Sequence, residues 1–349
     1  MKTTRLIFAA LLLLLLLLAF ASCGWGGSSK HGLEFIANKK SDGSDDGTCY
    51  VVWNGDLDSN IVIPSTSPKG LTVTGIGSYA FYGKSGSAAI SIPKSVVSIG
   101  VGAFGGSTNL TAITVEDGNP VLYSAGNCVI ETETKTIVRG CNSSVIPTNG
   151  SVTAIGDEAF SGCSALGTGV DEEGKTIAVP FVIPKSIKTV GHNAFDGCVG
   201  LSAVRYTGSL VEWCAIKFDG FLANPQIYAP DFYLNDQSAR RTLKIPDNVT
   251  DVNDFTFAGC SKLTSVTFPE GFKTIGKGAF YGCTGFTEIT LPATVTAVGD
   301  HAFRNCSSLT LINFAGTQEQ WEGITKGSDW DSGIGDYTVR CSDGDILPE

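Results

Sequence analysis

The feature that most constrains this fold is a repeat of 23 residues between Leu243 and Phe314. Proline, phenylalanine and cysteine recur at that spacing, at Pro246, Pro269 and Pro292, at Phe257, Phe280 and Phe303, and at Cys260, Cys283 and Cys306. A period of about 20–29 residues with this much apolar repetition is typical of stacked coils that contact only their neighbours. The sequence therefore predicts a solenoid, and its function is expected on a repeated surface.

A less regular form of the same repeat extends towards the N-terminus. After an irregular first copy at residues 75–81, coils begin at Ile92-Pro93, Ile146-Pro147, Ile183-Pro184, Ile245-Pro246, Phe268-Pro269 and Leu291-Pro292. Alternating apolar and polar residues before each proline indicate a short strand with one buried face, and proline ends it because it lacks a ladder donor. The predicted fold is a leucine-rich-repeat solenoid of about seven coils, with strands on one face and turns or short helical turns opposite.

Two glycine-rich columns flank the recurring phenylalanine. The first lies four residues before it and consists of Gly77, Gly100, Gly156, Gly191, Gly276 and Gly299, with Asn253 in the remaining coil. Glycine and asparagine tolerate a positive φ, so a left-handed backbone is expected at this column. The second column, at Gly162, Gly197, Gly259, Gly282 and Asn305, is expected to end one helical turn.

Two inserts are expected to interrupt the stack, at residues 116–144 and 205–242. In the first, residues 128–130 and 137–139 flank a polar turn, which is typical of a β-hairpin. In the second, the pattern Gly-Ser-x-x-x-Trp at residues 208–213 returns as Gly-Thr-x-x-x-Trp at residues 316–321.

Each of these two segments has a capping box, Ser209 with Glu212 and Thr317 with Gln320. A capping box predicts the start of a short helix, whose tryptophan is expected to cover an exposed coil edge. Strands at residues 50–53 and 61–64 are expected to cap the N-terminal end, and residues 330–341 the C-terminal end.

The first 23 residues have the composition of an export signal. Lys2 and Arg5 precede an apolar run at residues 6–20, which is shorter than the roughly 20 residues of a membrane span. The run ends at Cys23 and resembles a bacterial lipoprotein signal with Cys23 as the lipidated residue; Phe20 departs from that pattern, so ordinary signal-peptidase cleavage is the alternative. The predicted organisation is a signal peptide at 1–22, a flexible tether at 23–48 and the solenoid with its caps at 49–345.

The charge balance argues against nucleic acid as a ligand. The formal net charge is −10, and Lys and Arg are nowhere clustered. Binding to nucleic acid depends on basic patches, so none is expected.

Together, the columns resemble the BspA-like, or treponemal-type, class of bacterial leucine-rich repeats. The shared pattern is Ile-Pro, Val-x-x-Ile-Gly, Ala-Phe, Gly-Cys, Leu and Val, and residues 118–141 and the two tryptophan segments are similar to non-repeat parts of the same proteins. The resemblance covers roughly residues 49–345. It implies a secreted or surface-anchored interaction protein, and some members of the class are adhesins for host matrix proteins or other cells. The class has no binding motif that transfers to individual residues.

The cysteine column, at Cys163, Cys198, Cys260, Cys283 and Cys306, is expected to hold buried free thiols. Stacked coils place equivalent Cα atoms about 4.8 Å apart. Parallel Cβ vectors then keep the Cβ atoms beyond the roughly 3.5–4.5 Å of a disulfide. Cys128 and Cys141 bracket the predicted hairpin. The sequence is compatible with a disulfide between them and equally with two free thiols.

The sequence contains no catalytic or cofactor-binding motif. His31, His192 and His301 stand in no metal-binding or triad spacing, and the last two are expected in exposed loops. Residues 42–47 resemble the start of a calcium loop, but Trp53 stands where its closing carboxylate would be. No enzyme activity, metal or cofactor is predicted.

The candidate binding face is the outward side of the strand ladder. Its residues are Thr114, Arg205, Thr267, Thr290 and Asn313, with Thr111, Thr264, Thr287 and Thr310 beside them. Solenoids commonly bind partners on such a face; the competing explanation is that Thr favours solvent-exposed strands. We expect a lipid-anchored adhesin for a host or bacterial surface protein, at the cell surface or the periplasmic face of the membrane, or secreted. The alternative is a structural or antigenic envelope protein with no dedicated ligand.

Overall fold

The computed structural model describes residues 32–53, 60–84, 86, 88–235, 237–238 and 241–347. They form the predicted solenoid, but with two parallel strand ladders instead of one. The first ladder consists of the expected strands before the recurring prolines. The second consists mainly of two-residue strands just before the first glycine column. Both ladders are interrupted at two places, so the solenoid has three sections.

The N-terminal section is capped by an antiparallel strand. Its strands are β1 (Leu33–Lys39), β2 (Asp45–Trp53), β3 (Asn60–Val62), β4 (Thr72–Ile76), β5 (Ala89–Ile92), β6 (Ser98–Ile99) and β7 (Ala112–Val115). The first ladder is β3-β5-β7 and the second is β2-β4-β6, all parallel. β1 pairs antiparallel with the outer edge of β2 and covers it.

The middle section contains the longest coils. Its elements are β8 (Leu122–Ala125), β9 (Cys128–Glu131), β10 (Thr136–Arg139), β11 (Ala154–Ile155), β12 (Thr168–Val170), β13 (Thr176–Ala178), β14 (Phe181–Ile183), β15 (Thr189–Val190), β16 (Ala203–Tyr206), α1 (Leu210–Cys214), β17 (Lys217–Phe218), two 3-10 turns (Phe221–Ala223 and Pro225–Ile227), β18 (Asp231–Leu234) and β19 (Gln237–Ser238). The first ladder is β14-β16-β18, closed by the antiparallel β19. The second is β10-β11-β15-β17, preceded by the antiparallel β8 and β9.

The C-terminal section contains the regular 23-residue coils. Its elements are β20 (Thr242–Lys244), β21 (Asp251–Val252), β22 (Ser265–Thr267), β23 (Thr274–Ile275), β24 (Glu288–Leu291), β25 (Ala297–Val298), β26 (Leu311–Phe314), α2 (Gln318–Glu322), β27 (Thr325–Lys326), β28 (Thr338–Cys341) and β29 (Gly344–Ile346). The first ladder is β20-β22-β24-β26-β28 and the second is β21-β23-β25-β27. The antiparallel β29 closes the edge of β28. β28 lies in the predicted C-terminal cap, and β29 lies just beyond it.

The recurring phenylalanines form ring stacks in the core, as the repeat predicts. The stacked pairs are Phe81 with Phe104, Phe160 with Phe195, Phe257 with Phe280, and Phe280 with Phe303, with ring centroids 5.3–5.4 Å apart. All of these rings are buried, and Trp330 ends the C-terminal stack edge-to-face on Phe303. Within each section, successive coils therefore each supply one ring to a stack.

The first glycine column is explained by close contact between coils, and the positive φ predicted for it is wrong. A Cβ atom on Gly276 would lie 2.7 Å from the amide nitrogen of Asp254, and one on Gly299 would lie 2.6 Å from that of Lys277. The left-handed residues lie two positions later, at Tyr79, Gly102, Glu158, Asn193, Phe255, Gly278 and His301. The second glycine column does have a positive φ, from 62° at Asn305 to 81° at Gly259.

Residues 205–242, predicted as an insert, build a longer coil within the stack. β16 and β18 pair in parallel from Ala203↔Asp231 to Tyr206↔Leu234, and β17 between them extends the second ladder. α1 and α2 begin at the predicted capping boxes, where the Ser209 and Thr317 side chains accept hydrogen bonds from backbone amides. The Gly-Ser/Thr-x-x-x-Trp segments are thus part of two long coils.

The tryptophans of these coils are enclosed instead of covering an exposed edge. Trp213 is fully buried, and its Nε1 donates to the carbonyl of Thr256 in the next coil at 2.9 Å. Trp321 packs against Phe314 and Trp330. Each indole fills the additional volume that its longer coil creates.

Residues 116–144 form the predicted hairpin, and they also join the stack. β9 and β10 pair antiparallel, and β10 then pairs in parallel with β11. Ile146 is buried but lies in no strand, so the first ladder is interrupted between β7 and β14. A further hairpin, β12–β13, occupies the extra length between Leu166 and Phe181 and was not predicted.

The N-terminal tether prediction is wrong for residues 33–48, because β1 and the first four residues of β2 lie there. The calcium-like stretch at residues 42–47 spans the turn between them and the start of β2, and Asp42 accepts hydrogen bonds from the amide and hydroxyl of Ser44. The signal peptide, Cys23 and the start of the tether lie outside the described residues. No helix in the described part of the chain has the length and apolar character that crossing a membrane requires.

Arg139 joins the N-terminal and middle sections. Its guanidinium is buried at the boundary of two hydrophobic cores and donates to the carbonyls of Phe104, Glu158 and Ser161. Burial lowers the pKa of Arg139. Backbone carbonyls at this interruption are therefore satisfied by a side chain, since unpaired buried polar groups are costly.

Asparagine substitutions at Gly276 and Gly282 separate the two roles of glycine. At Gly282 the φ is 68°, nothing lies within 4 Å of an added Cβ, and Asn305 is the natural equivalent. G282N should therefore change the free energy of unfolding by less than about 0.5 kcal/mol. G276N drives a side chain into the preceding backbone and should cost about 1–3 kcal/mol.

Urea denaturation of both variants measures the difference. Asn253 occupies the first column naturally, but its coil follows the second interruption, where its amide donates to the carbonyl of Ile216 at 3.4 Å. Equal destabilisation by G276N and G282N would contradict the close-contact explanation.

Candidate binding face

The outward side of the first ladder in the C-terminal section carries a continuous row of polar side chains. Strand pairing places Lys244, Thr267, Thr290, Asn313 and Arg340 side by side on β20, β22, β24, β26 and β28. Alternate residues of a strand face opposite sides, and Val266, Ile289 and Ile312 next to this row are buried. We call these five side chains the polar row.

The neighbouring threonine column is engaged within the solenoid. The hydroxyl of Thr264 donates to the carbonyl of Arg241 at 3.0 Å, and that of Thr310 donates to the carbonyl of Thr287 at 3.3 Å. Thr111 makes the equivalent bond to Ala88. The hydroxyls of Thr111, Thr264 and Thr310 therefore tie their coils to the preceding ones, a role that composition alone did not indicate. Thr287 is exposed, and its backbone amide donates to the carbonyl of Thr264 at 3.2 Å.

Thr114 and Arg205 lie on other sections of the first ladder. Thr114 is exposed on β7 and pairs with Ser91, whereas Arg205 is half-buried on β16 between Val182 and Tyr233. Because the ladder is interrupted twice, the predicted face is divided into three strips. Of the five predicted outward residues, Thr267, Thr290 and Asn313 share one strip, and Thr264 and Thr287 lie beside it.

The polar row is weakly charged at its centre and basic at its ends. Lys244 lies 3.8 Å from Asp247, and the Nε of Arg340 lies 3.5 Å from Asp345. Both pairs are exposed and contribute little to stability. Hydroxyl, amide and cationic groups at a strand spacing of about 4.8 Å suit hydrogen bonding to a ligand rather than proton transfer.

A second surface, which the sequence did not indicate, is a groove on the second ladder of the middle section. It has a volume of about 480 Å³ and is lined by Thr136, Ala154, Thr189, Lys217, Asp157 and Asp219, among others. The outward residues of β11 and β15 are small, which leaves the floor of the groove open. The two-residue strands on which it lies were themselves not predicted.

The cysteine column holds buried free thiols, as expected. The thiols of Cys198, Cys283 and Cys306 each donate to a phenylalanine carbonyl of a preceding coil at 3.2 Å. Burial raises the pKa of Cys306 to about 12. Cys128 and Cys141 are also buried free thiols, so no disulfide links them in this structure.

The two histidines within the described residues, His192 and His301, offer no proton-transfer pair with these thiols; His31 lies outside the described residues. His192 is exposed, and its Nδ1 lies 3.3 Å from the carbonyl oxygen of Asp219. His301 lies 3.9 Å from Asp329, which also pairs with Arg304. Among the described residues, no three His, Cys, Asp or Glu side chains are grouped to hold a metal ion.

The comparisons with known proteins identify the repeat. The sequence profile described as "BspA type Leucine rich repeat region" matches six copies, over residues 74–169, 176–233 and 226–325. No curated protein shows significant sequence similarity to the chain.

One solved structure shares the fold, and two others are similar with lower TM-scores. A leucine-rich repeat protein from Eubacterium ventriosum is 22% identical, with a TM-score of 0.52 over 80% of this chain and 65% of that one. The chain thus spans slightly less than two thirds of that relative's length. A leucine rich cell surface protein from Faecalibacterium prausnitzii is 20% identical, covering 87% of this chain and 98% of that one, with a TM-score of 0.36. A leucine rich repeat protein from T. pallidum is 18% identical over 88% and 89%, with a TM-score of 0.25.

Thiol accessibility provides a direct check of the cysteine column. Burial raises the pKa of Cys163 and Cys306 to about 12, whereas unfolded thiols titrate near about 8.5. In a chain carrying C23S, the ten described cysteines should therefore resist a thiol reagent at pH 8 and react fully in urea.

The raised pKa of these thiols also makes the free energy of unfolding depend on pH. A raised folded pKa contributes stability that is complete below about pH 8.5. It should be lost as the pH rises towards the folded pKa of about 12.

In the thiol-reagent experiment, rapid reaction of more than two thiols in the native chain would contradict their burial.

Proposed function

The chain belongs to the BspA-type leucine-rich-repeat family, and on this premise we propose that it is an adhesin-type binding protein. Its ligand in this proposal is a protein on a host or bacterial surface, bound through the polar row. Repeat solenoids are binding scaffolds with extended surfaces, and the proposal assigns the chain no catalytic role, no cofactor and no nucleic acid.

The observation that carries the proposal is the continuity of the polar row. Five successive hydrogen-bonded strands present Lys244, Thr267, Thr290, Asn313 and Arg340 in register. Thr267 and Thr290 are exposed, and packing of the core does not require their identity. A protein ligand could meet this row along its whole length, with the two cationic ends anchoring acidic groups.

A structural or antigenic envelope protein without a dedicated ligand is the second candidate. The observation that favours it is the engagement of Thr264 and Thr310 between coils, which shows that threonine on this face serves the solenoid. The two candidates differ in accessibility. Protease treatment of intact cells should remove an adhesin, whereas a periplasmic scaffold would be protected.

Export and lipid anchoring at Cys23 are part of the proposal. Lys2, Arg5 and the apolar run at residues 6–20 support export, and the cysteine that follows supports lipidation. Two acyl signals or more give stable anchoring. The cell surface is the site that suits an adhesin, and the periplasmic face or secretion are the other destinations.

Glutamate at Thr267 and Thr290 tests the polar row. Both side chains are exposed, so the T267E/T290E chain should keep its unfolding midpoint within about 2 °C. Binding to immobilised matrix proteins or to bacterial surface proteins should fall by at least about tenfold, because unpaired carboxylates would be desolvated in the interface.

The matched control is T250E/T296E, which places the same charges at exposed positions next to the second ladder. This control should bind like the unmodified chain. Unchanged binding of T267E/T290E would exclude the polar row as the ligand site.

Lipidation is tested by expressing the full chain and its C23S variant in bacteria fed an alkyne fatty acid. The unmodified chain should incorporate the label and sediment with membranes, and C23S should do neither. Label in C23S would place the fatty acid on another residue and contradict lipidation at Cys23, and no label in the unmodified chain would favour ordinary signal-peptidase cleavage.

A further inference from the structure

Two tyrosines on the turn side of the N-terminal section are exposed although they are aromatic. Tyr79 is 54% exposed and Tyr82 is 55% exposed. Their ring centroids lie 5.7 Å apart with an interplanar angle of 74°, an edge-to-face arrangement that aromatic pairs favour. Neither ring belongs to the polar row or to the groove on the second ladder.

Glycines of the next coil form the surface on which these rings lie. A Cβ atom on Gly102 would lie 2.6 Å from Cδ1 of Tyr79, and one on Gly105 would lie 2.9 Å from Cδ2 of Tyr82. Gly102 and Gly105 are consequently buried. Both rings thus pack against glycines of the neighbouring coil and remain more than half exposed to solvent.

A carboxylate from a third coil completes the cluster. The phenol of Tyr79 donates to Oε1 of Glu158 at 3.3 Å. A Cβ atom on Gly102 would lie 2.5 Å from Oε2 of Glu158, so the missing side chain allows the carboxylate and the tyrosine to meet. Within the described part of the chain, no Lys or Arg forms a salt bridge with the Glu158 carboxylate.

The chemistry of this cluster suits a cation. The face of an aromatic ring carries negative potential and attracts guanidinium and ammonium groups. Guanidinium also stacks on rings and binds carboxylates through two hydrogen bonds. The chain has a formal net charge of −10, which favours approach by a basic partner.

We propose that Tyr79, Tyr82 and Glu158 form a recognition site for an arginine side chain of a basic protein segment. The guanidinium stacks on an exposed tyrosine face and donates to the Glu158 carboxylate. Because the polar row lies on β20 to β28, far along the chain from these coils, this site does not depend on the proposed function of that row.

Binding of a model peptide tests the site. The chain carrying C23S is passed in low-salt buffer over an immobilised peptide in which arginine alternates with glycine, and over its citrulline counterpart. Citrulline keeps the shape and most donors but has no charge. The arginine peptide should bind at least about tenfold more tightly, since both cation–π attraction and the ion pair need the charge.

Variants assign the binding to these residues. E158Q, Y79L and Y82L should each weaken binding about two- to fivefold, as expected for exposed cation–π and ion-pair contacts. Y79F and Y82F keep the rings and should stay within about twofold of the unmodified chain. Unfolding midpoints are measured for all, and E158Q carries the test if a leucine variant is destabilised.

The control for general attraction to an acidic chain is E288Q, which removes an exposed carboxylate on β24. E288Q should bind the arginine peptide as the unmodified chain does. Equal binding of the citrulline peptide, or equal weakening by E288Q and E158Q, would overturn the proposal. Binding of a neutral saccharide at these tyrosines that is tighter than binding of the arginine peptide would also overturn the proposal.

Discussion

The close approach of neighbouring coils at the first glycine column is the constraint on which this solenoid depends. Gly276 and Gly299 lie where any side chain would enter the backbone of the preceding coil. Their absence of a Cβ lets the following turns stack with direct backbone hydrogen bonds, such as that from Phe280 to Ala302 at 2.8 Å. The same spacing brings the phenylalanine rings into contact, so backbone pairing and core packing satisfy one geometric condition together.

Where neighbouring coils are not paired through their backbones, buried polar side chains donate hydrogen bonds to the backbone carbonyls. At the first interruption, Arg139 donates to three carbonyls. At the second, Asn224 and Trp213 donate to the carbonyls of Phe255 and Thr256. The ladders stop at both places, but these carbonyls have donors, and the hydrophobic core continues across the second interruption. A solenoid with unequal coils can therefore remain a single folded body.

Because core packing determines the inward residues, binding is expected at the outward residues of the solenoid. Inward positions such as Val266 and Phe280 are determined by packing, whereas the exposed Thr267 can change without disturbing the stack. The two proposed surfaces also differ in chemistry: the polar row offers hydroxyl, amide and cationic groups, and the tyrosine cluster offers aromatic faces beside a carboxylate. One scaffold can thus present complementary charge to two kinds of partner segment.

The sequence by itself determined the period, the buried phenylalanines, the thiol column, the capping boxes and the first strand ladder, because each is local or repeats at a constant interval. Only the tertiary structure decided why glycine occupies the first column, since the contact that excludes a Cβ comes from a residue about 22 positions earlier in the chain. It also decided that residues 205–242 belong to the stack, that Thr264 is bonded between coils while Thr267 is exposed, and that Tyr79 meets Glu158. These facts depend on which coils become neighbours, and coil lengths that vary through the middle section hide that register from any pattern read along the chain.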